Sequence, residues 1–347
     1  MVVFGAGASF DAVPTRPIDR FRNLDERLPL ANELFGDRPH FAECQRQFPQ
    51  CLDIVPRLLG PFGENSGPAS IESALETLQL EAKTNARRYS QLAAVRFYIQ
   101  KTIWDTNAKW SAVARGMTNY RGLIDKIMHW NPNGLPVWFV TFNYDTMLEL
   151  ALENFGCHIN KLSDYTEHKV FKIIKPHGSV NWVRVVSQIG GRQPDFDYRS
   201  PKPQDVAQRL IESAQDVRLS DEFQLIKQWT VGKNGTVPIF PAIAIPVQTK
   251  ADYECPRDHL ELLKFWTRDV SRLLIVGWRG AEAHFRALLY DSLRERPVPT
   301  LIVDPDPNQV QENLEKCGLV GPYFHFLGGF TKFVVENPEI VDKFLCT

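Results

Sequence analysis

The chain has 347 residues, 44% of them hydrophobic and 23% charged, which is the make-up of an ordinary globular protein with room for one large or two moderate cores. A net charge of -1 gives no electrostatic reason for bulk binding to nucleic acid or an anionic membrane. No run of about 18 apolar residues is present, so no transmembrane segment is expected, and the N-terminus lacks the basic region and long apolar core of a signal peptide. The six cysteines (Cys44, Cys51, Cys157, Cys255, Cys317 and Cys346) form no C-x-x-C pair, which argues against a zinc ribbon and for reduced thiols in a cytoplasmic protein. His129, His158, His168, His259, His284 and His325 show no H-x-x-x-H or similar spacing, so no metal is expected.

The chain opens on Val2-Val-Phe4, a short apolar strand running into Gly5-Ala-Gly-Ala-Ser9. The strand is reached abruptly: either it is short or the natural chain starts upstream of Met1. Glycines at such a turn let backbone approach a ligand, and the N–H groups of the turn could hold a pyrophosphate. The dinucleotide pattern G-x-G-x-x-G is incomplete, because Phe10 stands at the third glycine position. The stretch 11–29 reads as an irregular loop. From Ala31 to about Trp130 the spacing is helical, clearest over Ser70–Leu78, Ser90–Trp104 and Arg121–Trp130, with a glycine- and proline-rich break at Gly60–Pro68. This block far exceeds one crossover helix, so residues 31–135 are expected to be a helical insertion or cap.

Val137-Trp-Phe-Val-Thr141 is a buried strand that ends in Phe142-Asn-Tyr-Asp145, followed by a helix to Asn154 with Gly156 as its stop. Val170–Pro176 reads as a strand, ahead of His177-Gly-Ser179. Ser187–Pro203 is expected to be a loop, Gln204–Trp229 helical, and Thr236–Pro246 a proline-interrupted edge strand or extended segment. A helix over Cys255–Val270, the strand Ser271–Gly277, a helix over Glu282–Glu295, the strand Thr300–Asp304, a helix over Gln309–Lys316, the strand Tyr323–Leu327 and final helical turns over Thr331–Phe344 complete the chain. Alternation at this spacing implies an α/β fold with a doubly wound parallel sheet.

In open α/β sheets, ligands bind at the carboxyl ends of the strands. Those ends carry Gly5, Ala6, Gly7 and Ser9; Asn143 and Asp145; His177; Gly277 and Trp278; and Asp304. Asn143 could be a helix cap, His177 a buried histidine bonded to backbone, and Asp304 a cap for the helix after Pro305.

Gly5-Ala-Gly-Ala-Ser9, Thr141-Phe-Asn-Tyr-Asp145, Lys175-Pro-His-Gly-Ser-Val-Asn-Trp182 and Ile275-Val-Gly-Trp278, in that order, resemble the motifs of the sirtuin superfamily. The likeness is to the bacterial sirtuin-like branch that shares only the nucleotide-binding core with deacetylases, and it implies a single domain over 1–347 with a second insertion at 185–235 in place of the zinc module. The resemblance implies NAD as substrate. It implies that Asn143 contacts the nicotinamide ribose and orients the attacking water, that Asp145 binds the carboxamide, and that His177 is the general base. It places Gly5, Ala6, Gly7, Ser9, Gly277, Trp278 and Asp304 along the rest of NAD. Two departures weigh against peptide deacetylation. There is no four-cysteine zinc module, and Val237–Pro246 lies where a peptide-pairing segment belongs but is rich in proline. The implied activity is NAD hydrolysis to nicotinamide and ADP-ribose, with a protein deacylase, an ADP-ribosyltransferase or a non-catalytic NAD-binding subunit as the alternatives. The branch further implies an antiviral effector that is a homo-oligomer or is activated by a separate ATPase or Argonaute-type protein, with nucleic acid reached only through that partner.

Overall fold

The computed structural model describes residues 1–16, 26–59, 68–194, 202–233, 237–246 and 253–346. Residues 60–67 of the break expected at Gly60–Pro68 and parts of the loops expected at 11–29 and 187–203 lie outside these residues. The chain divides into two compact units: one of Met1–Leu28, Asn107–Pro176 and Lys250–Thr347, the other of Pro29–Thr106 and His177–Thr249. No helix among the described residues is long and apolar enough to cross a membrane.

The first unit is built on a six-stranded sheet of β1 (Val2–Phe4), β2 (Val137–Thr141), β3 (Phe171–Ile174), β8 (Leu273–Val276), β9 (Thr300–Asp304) and β10 (Tyr323–Leu327), in the order β10-β9-β8-β1-β2-β3. Every pairing is parallel. Strands buried on both faces need apolar residues at successive positions, and Val-Val-Phe in β1 and Leu-Leu-Ile-Val in β8 are buried throughout. The α/β, doubly wound expectation is met. Successive strands run outward from β1 in one direction to β3, and outward from β8 in the other to β10, so strand order reverses between β1 and β8. The register levels the strand ends there: Phe4 lies opposite both Thr141 and Val276, and Val276 opposite Val303. The residues that follow, Gly5, Phe142 and Gly277, therefore share one rim.

At that rim two turns meet backbone to backbone. The Gly5 N–H donates to the Val276 carbonyl at 3.1 Å and the Gly7 N–H to the Gly277 carbonyl at 3.2 Å. A Cβ on Gly5 would fall on the Gly277 carbonyl oxygen and 2.6 Å from the Trp278 Cα. Gly277 itself has φ +60°, and a Cβ there would sit 2.5 Å from the Ala8 nitrogen and 2.7 Å from the Gly7 Cα. The glycines are fixed by packing of the protein against itself, whereas the sequence pattern suggested room for a ligand.

The second unit carries a four-stranded antiparallel sheet, β5-β4-β7-β6, from β4 (Gly178–Ile189), β5 (Val217–Leu225), β6 (Gly232–Lys233) and β7 (Val237–Ile243). Its helices are Pro39–Arg46, Pro49–Leu52, Val55–Leu59, Pro68–Glu81 and Pro203–Glu212, and the helix Ala86–Ala114 contributes residues to both units. Helices thus dominate the block after Ala31, as its spacing predicts. Two expectations are corrected. Only Pro203–Glu212 of the segment 204–229 is helical, and Val217–Leu225 pairs along β4 instead. β7 is not an edge strand, since it pairs with β4 on one side and β6 on the other; β6 spans only two residues, and the β4–β7 register shifts between Gly178 and Val183. A ladder this short and irregular can spare the N–H groups that Pro238 and Pro241 lack.

The interlock of the two turns has a measurable consequence. Gly277→Ala adds both left-handed backbone strain and a clash, and should cost roughly 3 kcal/mol or more in urea unfolding. Gly191→Ala, where φ is +77° and nothing lies within 4 Å of the added Cβ, should cost only about 1 kcal/mol.

Candidate functional site at the rim of the parallel sheet

Three elements of the first unit converge beyond β1 and β2. The turn after β1 leads into the short helix Ala6–Phe10 and delivers Ser9. β2 ends at Thr141 and delivers Asn143 and Asp145 ahead of the helix Met147–Glu153. The helix Asn119–His129, capped by the Thr118 hydroxyl accepting from the Arg121 N–H at 3.1 Å, buries Tyr120, Leu123, Ile124 and Ile127 on one face. Tyr120 lies edge-on to Phe4 and Phe330, which aims its hydroxyl at the turn.

Ser9 is the hub. Its Oγ is 2.8 Å from the Tyr120 hydroxyl and 2.9 Å from Asn143 Nδ2, and it also hydrogen-bonds the Asp145 carboxylate. An ionised carboxylate only accepts, so the Ser9 proton goes to Asp145, and Ser9 in turn accepts from Tyr120 and Asn143. The second N–H of Asn143 donates to the Gly5 carbonyl at 2.9 Å. That carbonyl cannot donate, which fixes the amide with nitrogen toward Gly5 and leaves Asn143 Oδ1 buried with no hydrogen-bond partner in the protein. A buried carbonyl oxygen without a partner costs about 1–3 kcal/mol, a cost that a hydrogen bond from water or a bound molecule would remove.

Asp145, not Asn143, serves the following helix, because its Oδ1 accepts the Met147 N–H at 3.0 Å. Burial pushes its carboxyl above the usual carboxylate range, while the Lys175 ammonium, the Ser9 hydroxyl and the Met147 N–H pull it back. Lys175, just past β3, is fully buried; its Nζ donates to the Asp145 carbonyl and to Glu149 Oε1, the latter at 2.8 Å. The Tyr165 hydroxyl donates to the same Glu149 oxygen at 3.1 Å.

The remaining residues singled out in the sequence stand as follows. Ala6 and Gly7 are half-buried. The N–H groups of Gly5, Gly7 and Ala8 are bonded within the protein, so Ala6 carries the turn's N–H not engaged by those bonds. The Trp278 indole stacks on Phe142 at 5.4 Å, meets Phe285 edge-on and donates Nε1–H to Glu282, so only its backbone can face a ligand. Asp304 ends β9 and accepts the Asp306 N–H at 2.9 Å; the next helix is capped by Asp306, whose side chain accepts from Gln309. Burial raises the Asp304 carboxyl, partly offset by that N–H and by Arg279. His177 is buried and belongs to the second unit, where its carbonyl accepts the Ala244 N–H at 3.0 Å. The structure therefore brings Gly5, Gly7, Ser9, Asn143, Asp145 and Gly277 together in one unit. Sequence reasoning missed Tyr120 and the Lys175–Glu149 pair. Tyr120 shares the helical spacing of Leu123, Ile124 and Ile127, but that spacing marks it only as core.

The buried pair is open to a double-mutant cycle. Lys175→Met leaves Glu149 buried and unpaired and should cost about 3–5 kcal/mol in urea unfolding. Adding Glu149→Leu should recover a large part of that loss, so the double variant is more stable than additivity of the single changes predicts.

No protein-family model matches the sequence, and no curated protein matches it. Several solved structures are similar to the chain. One is a Sir2 homologue in complex with NAD, 13% identical, with a TM-score of 0.43 over 99% of this chain and 90% of that one. Another is a mutant Sir2 homologue bound to 2′-O-acetyl ADP-ribose, 14% identical, with a TM-score of 0.42 over 100% and 92%. A third, from work on sirtuin substrate affinity, is 14% identical, with a TM-score of 0.42 over 96% and 92%.

Proposed function

We propose that the chain is an NAD glycohydrolase, cleaving NAD to nicotinamide and ADP-ribose. The observation that carries this reading is the Asn143 amide, clamped by Gly5, Ser9 and Tyr120 with its Oδ1 buried and unpaired. Cleavage of the N-glycosidic bond builds positive charge on the ribose and releases a neutral amine. What it asks of the protein is an oriented nucleophile, a base and a hold on the departing ring. An amide oxygen that has no internal partner and cannot rotate away accepts a hydrogen bond from water or a ribose hydroxyl and fixes its direction. Asp145, one hydrogen bond away through Ser9, is a carboxylate available to an amide N–H of the nicotinamide. Proton removal falls to His177 on the strength of its motif, since an amide cannot serve as base and an imidazole titrates near neutrality. Toward the phosphates, this chain offers the Ala6 N–H, the backbone after Gly277 and the exposed Arg279, which is a smaller donor set than a glycine-rich turn with all its N–H groups unengaged.

The same motif resemblance supports a role as the NAD-depleting effector of an antiviral defence in the bacterial cytoplasm. Activation would come through self-assembly or a separate ATPase or Argonaute-type protein.

Purified chain incubated with NAD, alone and with candidate partners, is expected to release nicotinamide. Asn143→Ala should lower the rate about 100-fold or more while NAD binding persists, and His177→Ala should do so by about 100- to 10,000-fold. Release unchanged by both substitutions overturns the catalytic assignment. Binding without release under every condition points to a non-catalytic NAD-binding subunit, and release that depends on an acyl-lysine peptide points to a deacylase.

A further inference from the structure

In the second unit, His40, Cys44 and Asp105 converge. His40 and Cys44 lie four residues apart on the helix Pro39–Arg46 and so share one face. Asp105 comes from the helix Ala86–Ala114. Cys44 Sγ is 3.7 Å from His40 Nε2, Asp105 Oδ2 is 3.6 Å from the same nitrogen, and all three ligand atoms lie within 4.8 Å of one another. The His40 and Asp105 side chains are 14% and 23% exposed, so the cluster is reachable from solvent, while Cys44 is buried.

Two kinds of chemistry use a cysteine, a histidine and an aspartate, and the geometry separates them. In a nucleophilic relay the thiol and the carboxylate bond opposite ring nitrogens, so that the imidazole passes a proton from one side to the other. Here both approach Nε2, so no relay runs through the ring. Convergence on one nitrogen is what a cation requires. With Zn–N of about 2.0–2.1 Å, Zn–S of about 2.3 Å and Zn–O of about 2.0–2.2 Å, the edges of a tetrahedral site are roughly 3.3–3.6 Å. The two separations at Nε2 exceed these by a few tenths of an ångström at most.

We propose that His40, Cys44 and Asp105 form a zinc site that ties the helix Pro39–Arg46 to the helix Ala86–Ala114, with a fourth position open to water. A nitrogen, a sulfur and an oxygen donor suit this borderline-soft ion rather than magnesium or calcium, which take oxygen ligands. Cys44 binds as thiolate, so its proton leaves to solvent as the ion enters. The Lys101 ammonium lies on Asp105 Oδ2 and over the Trp229 ring at 5.4 Å. Its charge competes with a cation for that carboxylate.

The test uses the full chain, stripped of metal and titrated with Zn²⁺ against a chromogenic chelator, with Co²⁺ as a spectroscopic probe. The expected result is one ion per chain and a cobalt–thiolate charge-transfer band that disappears in Cys44→Ser. His40→Gln and Asp105→Asn, at partly exposed positions that leave the fold intact by circular dichroism, should weaken binding at least about tenfold. Lys101→Met should tighten it about three- to tenfold by removing the competing charge, an effect that a purely structural role for these side chains would not produce. No stoichiometric uptake, a thiolate band that survives Cys44→Ser, or binding unchanged or weakened in Lys101→Met overturns the proposal.

Discussion

Backbone packed on backbone between the ends of β1 and β8 is the constraint on which the candidate site depends. Side chains at Gly5 or Gly277 would drive the two turns apart, and the N–H bonds from Gly5 to Val276 and from Gly7 to Gly277 would break with them. Those bonds set where the helix Ala6–Phe10 begins, and hence where Ser9 points. Ser9 in turn holds Asn143 and Asp145 at the distances described. A glycine pattern that reads as accommodation for a ligand acts one step earlier, by fixing the side chains that would meet one.

The inner strands β1 and β8 were legible because strands buried on both faces are apolar at successive positions. β9 and β10 have the bounds read from the sequence, and β8 stands inside its expected run. The antiparallel sheet was harder to read for a physical reason. Val217–Leu225 alternates apolar and polar residues in two short runs, Val-Arg-Leu-Ser and Glu-Phe-Gln-Leu, but Asp221 shifts the phase between them and the strand is half-buried or exposed throughout. β7 was misplaced to an edge because proline normally excludes a strand from a sheet interior, a rule that weakens beside a two-residue partner.

The site was legible in its residues more than in its bonds. Asn143 and Asp145 stood out at a strand end, but which of them serves the next helix depends on rotamers that no sequence shows, and it is Asp145. Tyr120 and Glu149 reach the site from separate helices, and their roles come from contacts across more than 20 residues of sequence. His40 and Cys44 show helical i, i+4 spacing, yet a metal site needs Asp105 from another helix, and a search for paired histidines or paired cysteines passes over it.

The charges around the rim bear on what it could bind. Lys175 answers Glu149 directly, and its remaining contact is the Asp145 carbonyl, a dipole rather than a charge. With Asp145 ionised, its carboxylate feels the Lys175 charge and accepts from the Ser9 hydroxyl and the Met147 N–H, while Asp145, Glu149 and Lys175 together carry one net negative charge. Burial makes that charge costly to maintain, which is why the Asp145 carboxyl is raised. A cation arriving nearby lowers the cost, and an anion adds to it. Asn143 Oδ1 presents the negative end of an amide dipole without adding a further charge. A substrate bearing a pyridinium ring, passing through a transition state with positive charge on a ribose, suits a neutral acceptor beside an under-compensated carboxylate. A phosphate at the same spot would set a second negative charge beside that carboxylate.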